Sequence, residues 1–107
     1  MNLPIEISFR GLQKTDALDQ LIREKVQKLE RFCDHIVSCR VAVEKPAEEG
    51  RPFRVRLDIR LPPGKEVVVK REFDGDESVE NLPKVLREAF DVASRQIKEA
   101  MDKLSGH

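Results

Sequence analysis

The 107-residue chain is predicted to fold as an α+β unit of order β-α-β-β-β-α, a four-stranded sheet with two helices packed on one face. Three observations carry this. Three segments alternate apolar and polar residues with a period of two, and a fourth is rich in β-branched residues. Two longer segments repeat apolar residues at three-and-four spacing. Glycine, proline and polar clusters fall between them.

In chain order, Leu3, Ile5, Ile7 and Phe9 alternate with Asn2, Glu6, Ser8 and Arg10. Pro4 is tolerable near the start of such a strand and marks it as an edge. Gly11 ends it. Thr15 then stands as an N-cap before Asp16 and Asp19, whose charges suit the positive end of a helix. Leu18, Leu21, Ile22, Lys25, Val26, Leu29, Phe32 and Cys33 form the apolar stripe of that helix, with Lys25 at its border and its stem buried.

From Ile36 to Lys45 the alternation returns, with Val37, Cys39, Val41 and Val43 expected inward. A polar loop, Pro46 to Pro52, leads into the clearest segment of the chain, Arg51 to Phe73. There Phe53, Val55, Leu57, Ile59 and Leu61 alternate with Arg54, Arg56, Asp58 and Arg60. Pro62-Pro63-Gly64 turns the chain, and Val67, Val68 and Val69 carry it back to Phe73: a β-hairpin. An acidic loop, residues 74–80, precedes Asn81 as N-cap and Pro83 in the first turn of a second helix starting at Leu82. Its stripe is Leu82, Leu86, Ala89, Phe90, Ala93, Ile97, Ala100, Met101 and Leu104, and Gly106 is the stop signal. The first two strands flank a helix and should be parallel through a right-handed crossover, and the last three form an antiparallel meander.

Composition narrows the function. The length suits a single domain over residues 1–107. Twenty basic and twenty acidic residues cancel, so attraction to nucleic acid must come from where charge sits. Tryptophan and tyrosine are absent, leaving few aromatic platforms for stacking bases. No stretch has the length of a membrane span and the N-terminus is unlike a leader, so a soluble, cytoplasmic protein is expected. Cys33 and Cys39 are not spaced as a metal pair and sit on apolar faces, where they read as small buried hydrophobes. His35 and His107 lack recognisable partners for catalysis. No enzyme, metal, cofactor or small-molecule substrate is expected.

Cations fall into three groups. Lys25, Lys28 and Arg31 follow one another at three-residue steps along the first helix. Such a row can hold phosphates, or be a solvated face laced by pairs such as Glu24 to Lys28 and Arg31 to Asp34. On the second helix Arg87, Asp91, Arg95, Glu99 and Lys103 alternate in sign at four-residue steps, a ladder that reads as self-paired surface. Between Arg51 and Arg71 seven basic residues outnumber two acidic ones, which predicts a positive, solvated outer face for the sheet. Cross-strand pairing of its arginines is the alternative.

Residues 17–34, ALDQLIREKVQKLERFCD, and above all Lys28-Leu29-Glu30-Arg31-Phe32 followed by Asp34, resemble the first helix of the bacterial ribosome hibernation-promoting and ribosome-associated translation inhibitor family. Lys25, Lys28 and Arg31 match basic positions of that helix. Residues 86–98, LREAFDVASRQIK, resemble the family's last helix, with Asp91, Arg95, Gln96 and Lys98 at its polar positions. Val92 and Glu99 depart from it, standing where relatives often carry a lysine or arginine, so the second basic row is thinner. A branch of the family carries a cold-shock domain after the last helix and its long form a dimerising domain. Only Ser105-Gly106-His107 follow Leu104 here, so the short form is expected.

The resemblance implies a double-stranded-RNA-binding-domain-like fold. It also implies a factor that sits in the decoding channel of the small ribosomal subunit, inhibits translation and holds idle ribosomes under stress or in stationary phase. The implied partners are the small subunit and its ribosomal RNA, with Lys25, Lys28, Arg31, Arg87, Arg95 and Lys98 as nucleic-acid-binding residues. A double-stranded-RNA-binding module is the alternative, although Asn81-Leu82-Pro83-Lys84 offers one lysine where that module has several. A protein-interaction or regulatory domain without RNA is a third reading, which the zero net charge permits.

Overall fold

A computed structural model describes residues 4–33, 35–48, 52–62, 64–73 and 81–104. Its elements are β1 (Ile5–Arg10), α1 (Asp16–Phe32), β2 (Ser38–Glu44), β3 (Phe53–Leu61), β4 (Lys65–Phe73) and α2 (Leu82–Leu104). Leu3, Asp34, Arg51, Pro63, the acidic loop at 74–80 and the stop signal at Gly106 lie outside the described residues. So do the side chains of Phe32, Phe73, Lys103 and Leu104.

The sheet has the order β1-β2-β3-β4. β1 runs parallel to β2, Ile7 opposite Val41, because α1 carries the chain back between them. The two hairpin connections make β2, β3 and β4 antiparallel. α1 starts where expected: the Thr15 hydroxyl accepts from the Leu18 N–H at 3.1 Å, which satisfies one of the free donors of the first turn. At its other end the Cys33 N–H donates to the Leu29 carbonyl at 2.8 Å.

Both helices cover one face of the sheet. Leu18, Ile22, Val26 and Leu29 of α1 and Leu82, Leu86, Ala89, Phe90, Ala93 and Ile97 of α2 close over the inward residues of the strands. Ile22, Leu57, Ile59, Leu86 and Ile97 are wholly buried, and each such side chain contributes about 1.5–3 kcal/mol. No polar or charged side chain is buried among the described residues. β1 is less covered, its Ile5, Ile7 and Phe9 being half-buried as an edge strand requires.

Gly11 is needed where it stands. Its φ is +79°, and the Lys45 N–H, donating to the Arg10 carbonyl at 2.8 Å, draws the Lys45 backbone against it. A Cβ at position 11 would collide with the Lys45 carbonyl oxygen. Gly64, at φ +83° in the hairpin turn, has open space around it.

Two expectations fail. Val37 is 52% exposed, not inward. β2 begins one residue later, and although the Val37 N–H still donates to the Arg60 carbonyl at 2.8 Å, the buried place before the strand goes to Ile36. The outer face of the sheet is also not a positive surface. Register puts Lys65 opposite Leu61 and Arg71 opposite Val55, on the helix side. It brings Glu6, Glu44, Glu66 and Glu72 among the arginines that remain.

Candidate nucleic-acid interface

α1 turns about 100° per residue, so a three-residue step falls about 60° short of a full turn. Lys25, Lys28 and Arg31 therefore spiral from the edge of the buried stripe to the outside of the helix. Lys25 is half-buried, and Lys28 and Arg31 are exposed. Arg31 lies in the last turn, where its charge also complements the negative end of the helix. The pair from Glu24 to Lys28 is not formed: Glu24 accepts from Gln20 at 3.5 Å instead. Among the described residues the acidic side chain of α1 that is ion-paired is Asp19, held by Arg23 at 2.8 Å and Lys14 at 3.5 Å. The Arg23 hydrogen bond leads in lowering the Asp19 pKa.

On α2, Arg87, Arg95 and Lys98 are all exposed. Each four-residue step overshoots a turn by about 40°, so Arg87 and Arg95 diverge by about 80°, whereas Arg87 and Lys98 share a line to within about 20°. The alternating ladder does not close on itself. Among the described residues, Arg87, Asp91, Arg95 and Glu99 make no ion pair. Lys84, absent from the expected set, is exposed one turn before Arg87. Its signal was the three-residue spacing.

The sheet arginines behave in the opposite way. Arg40 pairs with Glu6 at 3.0 Å, Arg54 with Glu44 at 3.7 Å and Arg56 with Asp58 at 3.1 Å. Arg54 also stands opposite Glu72, and Arg60 opposite Glu66. A shallow depression of about 640 Å³ crosses this face, lined by Ser8 and Ala42 between charged residues of both signs. A polyanion here meets Glu6, Glu44, Asp58, Glu66 and Glu72 among the cations.

The structure thus places all six expected residues on the helix side of the molecule, Lys25, Lys28 and Arg31 on one helix and Arg87, Arg95 and Lys98 on its neighbour. Among the described residues none of the six is committed to a carboxylate. What such an arrangement can do is bind phosphates by charge and shape.

Other chemistry has little to work with among the described residues. No group of three His, Cys, Asp or Glu side chains is placed to hold a metal ion. Cys33 and Cys39 are free thiols in the core, and burial, helped by the charge of Asp58, pushes Cys39 up to about 12. No helix is long and apolar enough to cross a membrane.

Comparison with known proteins bears on the fold and the family. No curated protein matches the chain. A ribosomal subunit interface protein from Coxiella burnetii has a similar structure, with a TM-score of 0.75 over 94% of this chain and 99% of its own. At 14% identity that likeness is one of fold. The N-terminal domain of Thermus thermophilus Protein Y is similar with a TM-score of 0.68 and 26% identity, over 92% of this chain and 98% of its own. The family model described as Sigma 54 modulation protein / S30EA ribosomal protein matches residues 5–105. With nearly its whole length matched and the β-α-β-β-β-α order in place, the chain belongs to that family, a ribosome-associated one.

Proposed function

We propose that this protein is a cytoplasmic factor that binds the small ribosomal subunit in its decoding channel, excludes messenger and transfer RNA, and so inhibits translation and holds ribosomes idle under stress. It makes and breaks no covalent bond. Lys25, Lys28, Arg31, Arg87, Arg95 and Lys98 contact phosphates of ribosomal RNA, and the shape of the helix layer selects folded RNA over simple duplex.

Beyond family membership, one observation supports this reading. Lys25, Lys28, Arg31, Arg87, Arg95 and Lys98 carry no ion pair among the described residues, although Arg23 of α1 is held by Asp19, while Arg40, Arg54 and Arg56 of the sheet are each spent on a neighbouring carboxylate. A cation already paired releases little on meeting a phosphate, because its own carboxylate must be displaced. The helix side is the face on which phosphate binding costs least.

Competition tests the location. Small subunits loaded with messenger and transfer RNA should take up the protein poorly, and protein bound first should block loading of both. Simultaneous binding of all three would place the protein elsewhere on the ribosome.

A further inference from the structure

β1 and β4 are the two edges of the sheet, and they are built differently. The ladder to β2 uses the backbone of Pro4, Glu6, Ser8 and Arg10: the Cys39 N–H donates to the Pro4 carbonyl at 3.1 Å and the Lys45 N–H to the Arg10 carbonyl at 2.8 Å. The backbone N–H and C=O groups of Ile5, Ile7 and Phe9 therefore point out of the free edge. Their side chains are the half-buried ones on the helix side. The same three residues thus expose both unpaired hydrogen-bonding groups and apolar surface. On β4, by contrast, Lys65, Glu66, Lys70, Arg71 and Glu72 are all exposed, the charged blunting that keeps an edge from pairing.

We propose that the β1 edge is a self-association surface, on which a second copy of the chain lays its own β1 antiparallel across a two-fold axis at Ile7, joining the two sheets into one. The strand is self-complementary in this register. Ile7 meets Ile7 of the second copy, Ile5 meets Phe9, and each of the three residues finds partners for its N–H and C=O. On the outer face Glu6 meets Ser8, with Arg10 of the second copy one diagonal step away, within reach of long side chains. Arg10 makes no ion pair among the described residues; Glu6 holds Arg40 through Oε2 at 3.0 Å, so Arg10 of the second copy would share that carboxylate. A slip by one residue would turn Glu6, Ser8 and Arg10 of the second copy onto the apolar side, and a slip by two would leave fewer of the three apolar residues paired, so the register centred on Ile7 is the one that pairs all of them. The axis stands perpendicular to the sheet and keeps the helices of both copies on the same side. This inference rests on the strand edge alone, independently of the ribosome reading.

One short strand pair lies below the size of a standard interface, so association should be weak, developing between about 10 μM and about 1 mM in sedimentation equilibrium. Three measurements decide. The unmodified protein should form a reversible dimer over that range. Ile7→Cys should give a covalent dimer on mild oxidation, since residues exchanging both hydrogen bonds stand about 5.5 Å apart at Cα, within disulfide reach. Cys33 and Cys39, both buried, leave the new thiol as the accessible one. Ile7→Pro removes an N–H that β2 does not use, and should be a folded monomer by circular dichroism and sedimentation. A protein that stays monomeric throughout overturns the proposal. So does a native dimer whose Ile7→Cys form fails to cross-link, which would assign association to another surface or to a different register. A folded Ile7→Pro variant that dimerises as before does the same, and if that variant does not fold, the cross-link decides.

Discussion

Reversing Lys25, Lys28 and Arg31 to glutamate separates binding from folding, and the structure gives the scale of both effects. None of the three is in an ion pair among the described residues, so reversal breaks no pairing of that kind. The costs are local. An acidic side chain at position 28 lies four residues from Glu24, a repulsion of about 0.2–0.5 kcal/mol. At position 31 it opposes the helix dipole in the last turn, for about 0.3–1 kcal/mol. At Lys25 the half-buried stem gives up some packing, within about 0.5 kcal/mol. A variant destabilised by roughly 1–2 kcal/mol remains folded in a domain of ordinary stability. Affinity for small subunits should fall steeply, and the dependence of log K on log salt should flatten by about 2–3, at roughly 0.7–0.9 for each phosphate no longer neutralised. The matched control reverses Arg54, Arg56 and Arg60. It breaks the pairs to Glu44 and Asp58 and places like charges opposite Glu66 and Glu72, each change costing about 0.2–1 kcal/mol. The sheet variant should therefore be the less stable of the two in thermal melts and the better ribosome binder in sedimentation over a salt series. A folded helix variant that binds as the parent does, beside a folded sheet variant that no longer binds, would refute the assignment of the face.

Two further predictions concern the scaffold. Gly11→Ala should destabilise far more than Gly64→Ala in denaturant titration: both demand a positive φ, for about 1–2 kcal/mol, but only at position 11 does the new Cβ meet backbone. Equal losses would mean that β1 and β2 can part at Lys45 without cost. Cys39, buried and with its thiol pushed up to about 12, should resist alkylation at neutral pH in the folded protein and react once denaturant unfolds it. Rapid labelling of Cys39 under native conditions would show that β2 opens readily.

Much of this was legible because it is local. The period of two in Phe53 to Leu61, the Thr15 cap and the α1 stripe each depend on residues within a turn or two of one another, and each is found as expected, the stripe apart from Phe32, whose side chain is not among those described. Where residues far apart meet, reading along the chain falls short. Seven cations in the hairpin segment suggested a positive face, but Glu6 and Glu44 reach the arginines only through pairing with β1 and β2. Lys65 and Arg71, counted with that face, turn to the helix side once register is known. Val37 continued an alternation that the backbone itself had not yet entered. The α2 ladder looked self-paired because its spacing permits pairs, and spacing alone does not close them. The helix cations were found from their spacing on α1 and from family resemblance on α2. That none of the six pairs with a carboxylate among the described residues emerged only with the side chains in place.

The central claim, that the partner is the ribosome and not RNA in general, is tested most directly by sedimentation with purified small subunits at physiological salt, with free duplex RNA added as competitor. The protein should pellet near stoichiometrically, and duplex RNA in large excess should displace little of it. Displacement by duplex as effective as by ribosomes would make it a general double-stranded-RNA binder, and failure to pellet with either would leave the helix cations without a nucleic-acid role.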